Sequence, residues 1–153
     1  MKQKYIDAHM KTAEVYAELS SARRLHVGCV VVKDNTIIGI GYNGMPSGWD
    51  NDCEYRNYRD LDENYQFLDE DGTTYSLRTR PEVLHAETNA IAKIARSTNS
   101  SEGSTLFVTH APCLDCSKII HQAGINSVFY RNSYRDDNGI QFLEKAGVQV
   151  KQI

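Results

Sequence analysis

Long apolar runs are missing from this chain. No stretch approaches the roughly 20 residues that a membrane-crossing helix requires, which excludes a helical membrane protein. Proline is scarce, at 3 residues, and glycine modest, at 10, which excludes collagenous and low-complexity architectures. An excess of positive charge is also lacking. Lys and Arg number 17 against 20 Asp and Glu, a net charge of -3, and the cations are dispersed, so no basic face offers itself to a long polyanion. A small anionic ligand needs only one or two arginines. The amino-terminal MKQKYIDAHMK has no apolar stretch of the secretory kind, so a cytoplasmic protein in a reducing compartment is expected. In that setting the four cysteines, at positions 29, 53, 113 and 116, point to metal or catalytic use of the close pair rather than to disulfides. Repeats and linkers are absent, and 153 residues suffice for one core, so a single domain over 1–153 is expected.

What is present reads as an α/β chain. Ile6, Met10, Ala13 and Ala17 recur at helical spacing within 5–20. The β-branched run at 27–33, the interruption Asp34-Asn35 and the strand signal at 36–42 predict a hairpin. Residues 43–81 carry Gly44, Pro46, Gly48 and Asp71-Gly72 without sustained periodicity and read as a long loop insertion, functional or flexible. Its acidic run at 60–72 reads as solvated surface. A helix is predicted over 84–96, with Leu84, Ala90, Ile91, Ile94 and Ala95 on its buried stripe. A strand at 104–110, a short helix at 113–124 closed by glycine, a strand at 126–131, a helix at 138–147 and a strand at 148–152 complete the chain. Alternating strands and helices favour parallel pairing through right-handed crossovers.

The chemistry concentrates in two short motifs. His85-Ala86-Glu87 is followed, after 24 intervening residues, by Pro112-Cys113-Leu114-Asp115-Cys116. One imidazole and two thiols suit zinc. The spacing of Cys113 and Cys116 places both sulfurs on one side of a helical first turn, where backbone N–H groups favour thiolates. Three protein ligands leave one position open to water, whose pKa zinc lowers to about 7. Glu87 is then the natural proton shuttle. Residues two apart on a regular helix diverge, so His85 and Glu87 share a cavity only if His85 stands at the helix boundary. Two other readings stand beside this one: a redox pair at a helix start, and a structural zinc closed by Cys53, His26 or His110.

His-x-Glu followed by Pro-Cys-x-x-Cys resembles the signature of the zinc nucleoside and nucleotide deaminases. The likeness is greatest to deoxycytidylate deaminases of the phage and bacterial kind. It runs through Arg24, Gly41-Tyr42-Asn43-Gly44-Met45-Pro46-Ser47-Gly48, the segment 85–91, Val108-Thr109 and Tyr134-Arg135. This resemblance implies a three-layer α/β/α fold of the cytidine deaminase kind, with a central mixed five-stranded sheet whose last two strands are parallel. It implies zinc on His85, Cys113 and Cys116, with Glu87 as general acid/base, and conversion of dCMP to dUMP and ammonia in support of thymidylate synthesis. Arg24 and Arg135 would take the phosphate, and Asn43, Ala86, Thr109, Ala111 and Tyr134 would complete the substrate site.

The same resemblance implies a homohexamer regulated by dCTP and dTTP, with Mg2+ accompanying the triphosphate and Tyr42, Gly44 and Arg96 near the effector. The sequence departs from many relatives at Ala111, where serine is common. Cys53 resembles a ligand of a second, structural zinc in some phage relatives, but Ser21 or Ala22 stands where its companion cysteine would be, so one zinc is expected. Deamination of cytidine, guanine or transfer-RNA adenosine is the alternative activity, and a zinc-stabilised interaction module the alternative outside enzymology. Cys29, in an apolar strand, is expected to pack in the core. The net acidity disfavours a polynucleotide substrate.

Overall fold

The computed structural model describes residues 1–64 and 66–153. In chain order the elements are α1 (Gln3–Ala17), β1 (Gly28–Lys33), β2 (Thr36–Tyr42), β3 (Glu54–Asn57), β4 (Gln66–Leu68), β5 (Thr74–Thr79), α2 (Ala86–Ala95), β6 (Thr105–His110), α3 (Leu114–Gln122), β7 (Ser127–Asn132), α4 (Asn138–Lys145) and β8 (Gln149–Gln152). A five-stranded sheet has the order β2-β1-β6-β7-β8. The strand β1 runs antiparallel to both β2 and β6, whereas β6, β7 and β8 are mutually parallel. The mixed sheet is therefore as expected, with the parallel set extended to three strands.

Strand alternation builds three layers. Val30 and Val32 face one side and pack with Ile6, Met10 and Ala13 of α1 and with Phe107. Cys29 and Val31 face the other side and pack with Ala86, Ala90 and Ile94 of α2, Ile120 of α3 and Leu143 of α4. Because β1 is buried on both faces, its sequence is continuously apolar rather than alternating. The hairpin from β1 to β2 turns at Asp34 and Asn35, whose φ values of 49° and 60° are the positive pair a two-residue turn of this twist demands.

Residues 43–81, expected as a loop, instead contain a second, three-stranded antiparallel sheet of order β3-β5-β4. The strands are short, 4, 3 and 6 residues; β4 and β5 close a local hairpin around Asp71-Gly72, whereas β3 reaches β5 across the intervening chain, and none is long enough to show a sustained periodicity. Tyr75 organises this sheet, with the Phe67 ring stacked at 5.7 Å and the Arg56 guanidinium 4.7 Å from its centroid. The Asp71-Gly72 turn was legible: Gly72 has φ 82°, and the Asp71 side chain accepts the Thr73 N–H at 2.8 Å. This small sheet delivers Glu54, Arg78 and Thr79 to the cavity described next. Among the described residues no helix is long and apolar enough to cross a membrane.

Candidate active site

Two helix starts converge below a cavity of about 490 Å³. His85 is the N-cap of α2, in extended conformation at φ -77° and ψ 153°, and so escapes the helical divergence that would separate it from Glu87. Cys113 caps α3 in the same way, at φ -69° and ψ 168°, and Cys116 lies in the first turn. Gly41 lets α2 lie this close, since a Cβ there would overlap the Ala86 carbonyl oxygen. Gly139 does the same for α4, where a Cβ would overlap the Pro112 carbonyl oxygen just before Cys113.

The His85 Nδ1 stands 3.6 Å from Cys113 Sγ and 3.3 Å from Cys116 Sγ, and the three donors lie within 4.8 Å of one another. A tetrahedral zinc with bonds of about 2.3 Å to sulfur and about 2.05 Å to nitrogen has a sulfur–nitrogen edge of about 3.6 Å. These residues fit zinc in both donor type and separation. Among the described residues no fourth His, Cys, Asp or Glu donor joins the cluster, so Cys53, His26 and His110 do not close it. Cys53 instead meets Ser21 Oγ at 3.5 Å.

Burial deepens across the site, from exposed His85 through half-buried Cys113 to buried Cys116 and Glu87. Hydrogen bonds from Cys116 and then from His85 draw the Cys113 thiol down to about 4, so Cys113 carries the thiolate of the pair, while sharing that proton and burial push Cys116 upward. The hydrogen bond to Cys113 raises His85 above its usual value. Glu87 is 4% exposed, and burial raises its carboxyl above the ordinary carboxylate range. A buried carboxyl group with a raised pKa thus lies against the three candidate metal donors.

Arg24, Asn43, Ala86, Ala111, Tyr134 and Arg135 all line the cavity with His85, Glu87 and Cys113. Asn43 is also a structural clamp: its Oδ1 accepts the Val27 N–H and its Nδ2 donates to the Leu25 carbonyl, each at 2.8 Å. Tyr134 is half-buried, with its hydroxyl pKa raised by that burial, and the Arg135 guanidinium sits 5.3 Å from its ring centroid. Thr109 departs from expectation. Its hydroxyl turns into the fold, accepting the Gly28 N–H at 3.1 Å and meeting His110 Nδ1 at 3.2 Å, and it does not line the cavity.

Gly44 pairs with Leu84, while Tyr42 faces Lys93, whose Nζ is 5.7 Å from its ring centroid. Arg96 is exposed at the C-cap of α2. Cys29 is fully buried in the core, as expected. Sequence reasoning missed Glu54, Asp62 and Arg78 on the cavity wall. Glu54 is 1% exposed, and its Oε1 accepts the N–H groups of Arg23 and Arg24 at 2.9 and 3.1 Å, fixing the turn that carries Arg24. A buried carboxylate at that position has no local spacing signal.

A three-donor zinc site, a buried carboxylic acid two residues from the imidazole and a mixed sheet with helices on both faces define a zinc-dependent hydrolytic deaminase. The family model of the cytidine and deoxycytidylate deaminase zinc-binding region matches residues 3–132, and the chain belongs to this family. It is 30% identical to the deoxycytidylate deaminase of Enterobacteria phage T4, over 92% of this chain and 86% of the phage protein. It is 34% identical to ComE operon protein 2 of Bacillus subtilis, over 94% of this chain and 68% of that protein. The yeast (Saccharomyces cerevisiae) deoxycytidylate deaminase is also 34% identical, but there this chain, covered to 99%, spans 46% of the longer protein. Among solved structures, the dCMP deaminase of cyanophage S-TIM5 in complex with dCMP and dUMP superposes with a TM-score of 0.84 at 45% identity, covering 100% of this chain and 99% of that one.

Proposed function

We propose that this chain, acting as one deaminase domain over residues 1–153, hydrolyses dCMP to dUMP and ammonia and so feeds thymidylate synthesis. The observation that carries this reading is a single cavity with His85, Cys113 and Glu87 at its base and Arg24 and Arg135 on its wall. It offers reaction chemistry and phosphate charge together. Support also comes from the ligands of the S-TIM5 structure, dCMP and dUMP.

His85, Cys113 and Cys116 hold the zinc, which when bound supplies an activated water. Glu87 moves the protons: it takes one from the attacking water and places it on the ring nitrogen adjoining the amino-bearing carbon, then takes the proton of the newly added hydroxyl and delivers it to the departing amine as the C–N bond breaks. Burial raises its pKa above the ordinary carboxylate range, which favours the protonated form that donates and eases its return after each transfer. Burial of Glu87 excludes bulk water from the exchange. Ala86 and Ala111 bound the ring, Asn43 and Tyr134 flank the sugar, and the guanidinium groups neutralise the phosphate.

The functional unit we propose is a cytoplasmic homohexamer regulated by dCTP and dTTP, with Mg2+ and the region of Tyr42, Gly44 and Arg96 receiving the effector. That reading rests on the whole-length resemblance to deoxycytidylate deaminases. Ammonia release from dCMP, deoxycytidine and cytidine, with and without dCTP or dTTP, tests substrate and regulation together. Turnover confined to nucleosides would remove the phosphate role of the arginines. Glu87→Gln is expected to lower kcat by about 10²- to 10⁴-fold while zinc content and fold persist. Full turnover in that variant would exclude the proton-transfer assignment.

A further inference from the structure

The cavity wall holds a charge cluster that the deamination step itself does not use. Arg24 Nη2 and Arg78 Nη1 converge on one oxygen, Oδ2 of Asp62, at 3.5 and 3.8 Å. The three side chains are partly shielded, 23%, 33% and 22% exposed, and all line the cavity that contains His85 and Glu87. Their backbones and forks are anchored. The Asp62 N–H donates to the Oγ of fully buried Ser76 at 2.6 Å, Arg78 Nη2 donates to the Asp60 carbonyl at 2.8 Å, and Arg24 Nη1 donates to Thr79 Oγ1 at 3.1 Å.

Arg24 and Arg78 thus set two guanidinium groups against the one Asp62 carboxylate, while on the same cavity Arg135 is paired with Asp136 at 3.8 Å and buried Glu54 with Arg23 at 3.5 Å. A phosphate monoester, with about -1.5 to -2 charges and three acceptor oxygens, matches such a cluster better than a carboxylate does. Arginine forks also suit phosphate geometrically. The carboxylate is loosely held by comparison, since both of its ion-pair contacts are longer than a charge-assisted hydrogen bond of about 2.7–2.9 Å. A phosphate arriving between the arginines meets the negative charge of Asp62 and must move it aside.

We propose that Arg78 acts with Arg24 as the receptor for the 5′-phosphate, and that the Asp62 carboxylate holds that place until the phosphate displaces it. The inference rests on the nucleotide reading above and adds to it a specificity residue and an internal competitor. A nucleoside leaves the three side chains paired and gains nothing from them, so the device selects monophosphates.

Steady-state kinetics on dCMP and deoxycytidine, with dUMP binding by calorimetry, test it in the wild type and in Arg78→Ala, Arg78→Lys and Asp62→Asn. Arg78→Ala is expected to lower the ratio of kcat/KM for dCMP over deoxycytidine at least tenfold, through KM, with Arg78→Lys intermediate. Asp62→Asn is expected to tighten dUMP binding severalfold and lower the KM for dCMP. An unchanged ratio in Arg78→Ala, or weaker dUMP binding in Asp62→Asn, overturns the proposal. Equal loss on both substrates in Arg78→Ala and Arg78→Lys makes Arg78 structural and overturns it as well. A wild type active on dCMP but indifferent to Arg78 defeats this inference alone, whereas a wild type inactive on dCMP defeats the substrate assignment with it.

Discussion

Replacing Gly41 with alanine tests how far the active centre depends on the approach of α2 to the sheet. A Cβ at Gly41 would overlap the Ala86 carbonyl oxygen and stand 2.7 Å from the Ala90 nitrogen. Ordinary contact begins at 3.4 Å, so Ala90 must retreat by 3.4 minus 2.7, or about 0.7 Å, and Ala86 by more. Both obstacles are backbone atoms, and no side chain can rotate out of the way. Overpacking of this kind costs about 1–3 kcal/mol. At about 2–4 °C of Tm per kcal/mol for a domain of this size, Tm falls by about 2–12 °C.

The displacement falls on Ala86, between His85 and Glu87, while Cys113 and Cys116 ride on a different helix. It therefore separates the imidazole from the sulfurs. A misplacement of about 1 Å costs on the order of 100-fold in rate, so kcat is expected to fall between about 10- and 100-fold, with weaker retention of zinc. Thermal denaturation, metal content after dialysis against a competing chelator, and steady-state turnover read the three effects. Gly44→Ala is the stability control, because a Cβ there meets nothing within 4 Å. Wild-type Tm and turnover in Gly41→Ala would refute the argument that close backbone packing sets the site.

Cys113→Ser removes one of three donors and is expected to lose zinc on dialysis, with turnover falling in step with metal content; a variant that keeps stoichiometric zinc contradicts the ligand set. Asn43→Ala leaves the Val27 N–H and the Leu25 carbonyl without their side-chain partners and is expected to cost about 1–3 kcal/mol in chemical denaturation, an unchanged midpoint arguing against the clamp. Burial holds His110 below its ordinary value of 6.5, so the unfolded chain takes up the proton first. Its contribution to stability is present above pH of about 6.5 and is lost as pH falls through the lower folded value. His110→Asn is expected to flatten that part of the stability profile in urea titrations, and an unaltered slope would assign the dependence to other groups.

The sequence by itself determined the reactive centre, because its geometry is local. His85 and Cys113 stand at helix starts, and the spacing from Cys113 to Cys116 is one turn, so a few residues of backbone carry the donor directions with them. The central sheet was equally legible from continuous apolar strands and the Asp34-Asn35 turn. Tertiary structure alone decided the part of the cavity wall built by Glu54, Asp62 and Arg78. Residues 43–81 fold by closing a short hairpin and pairing β3 with a strand distant in sequence, and that folding brings Asp62, out of an acidic run, against Arg24 and Arg78. It likewise turned the Thr109 hydroxyl inward and tied both ends of the Asn43 amide to the backbone. Local spacing encodes which atoms can hold a metal, whereas the partner a charged side chain meets across the chain depends on long-range contacts that no short window of residues contains.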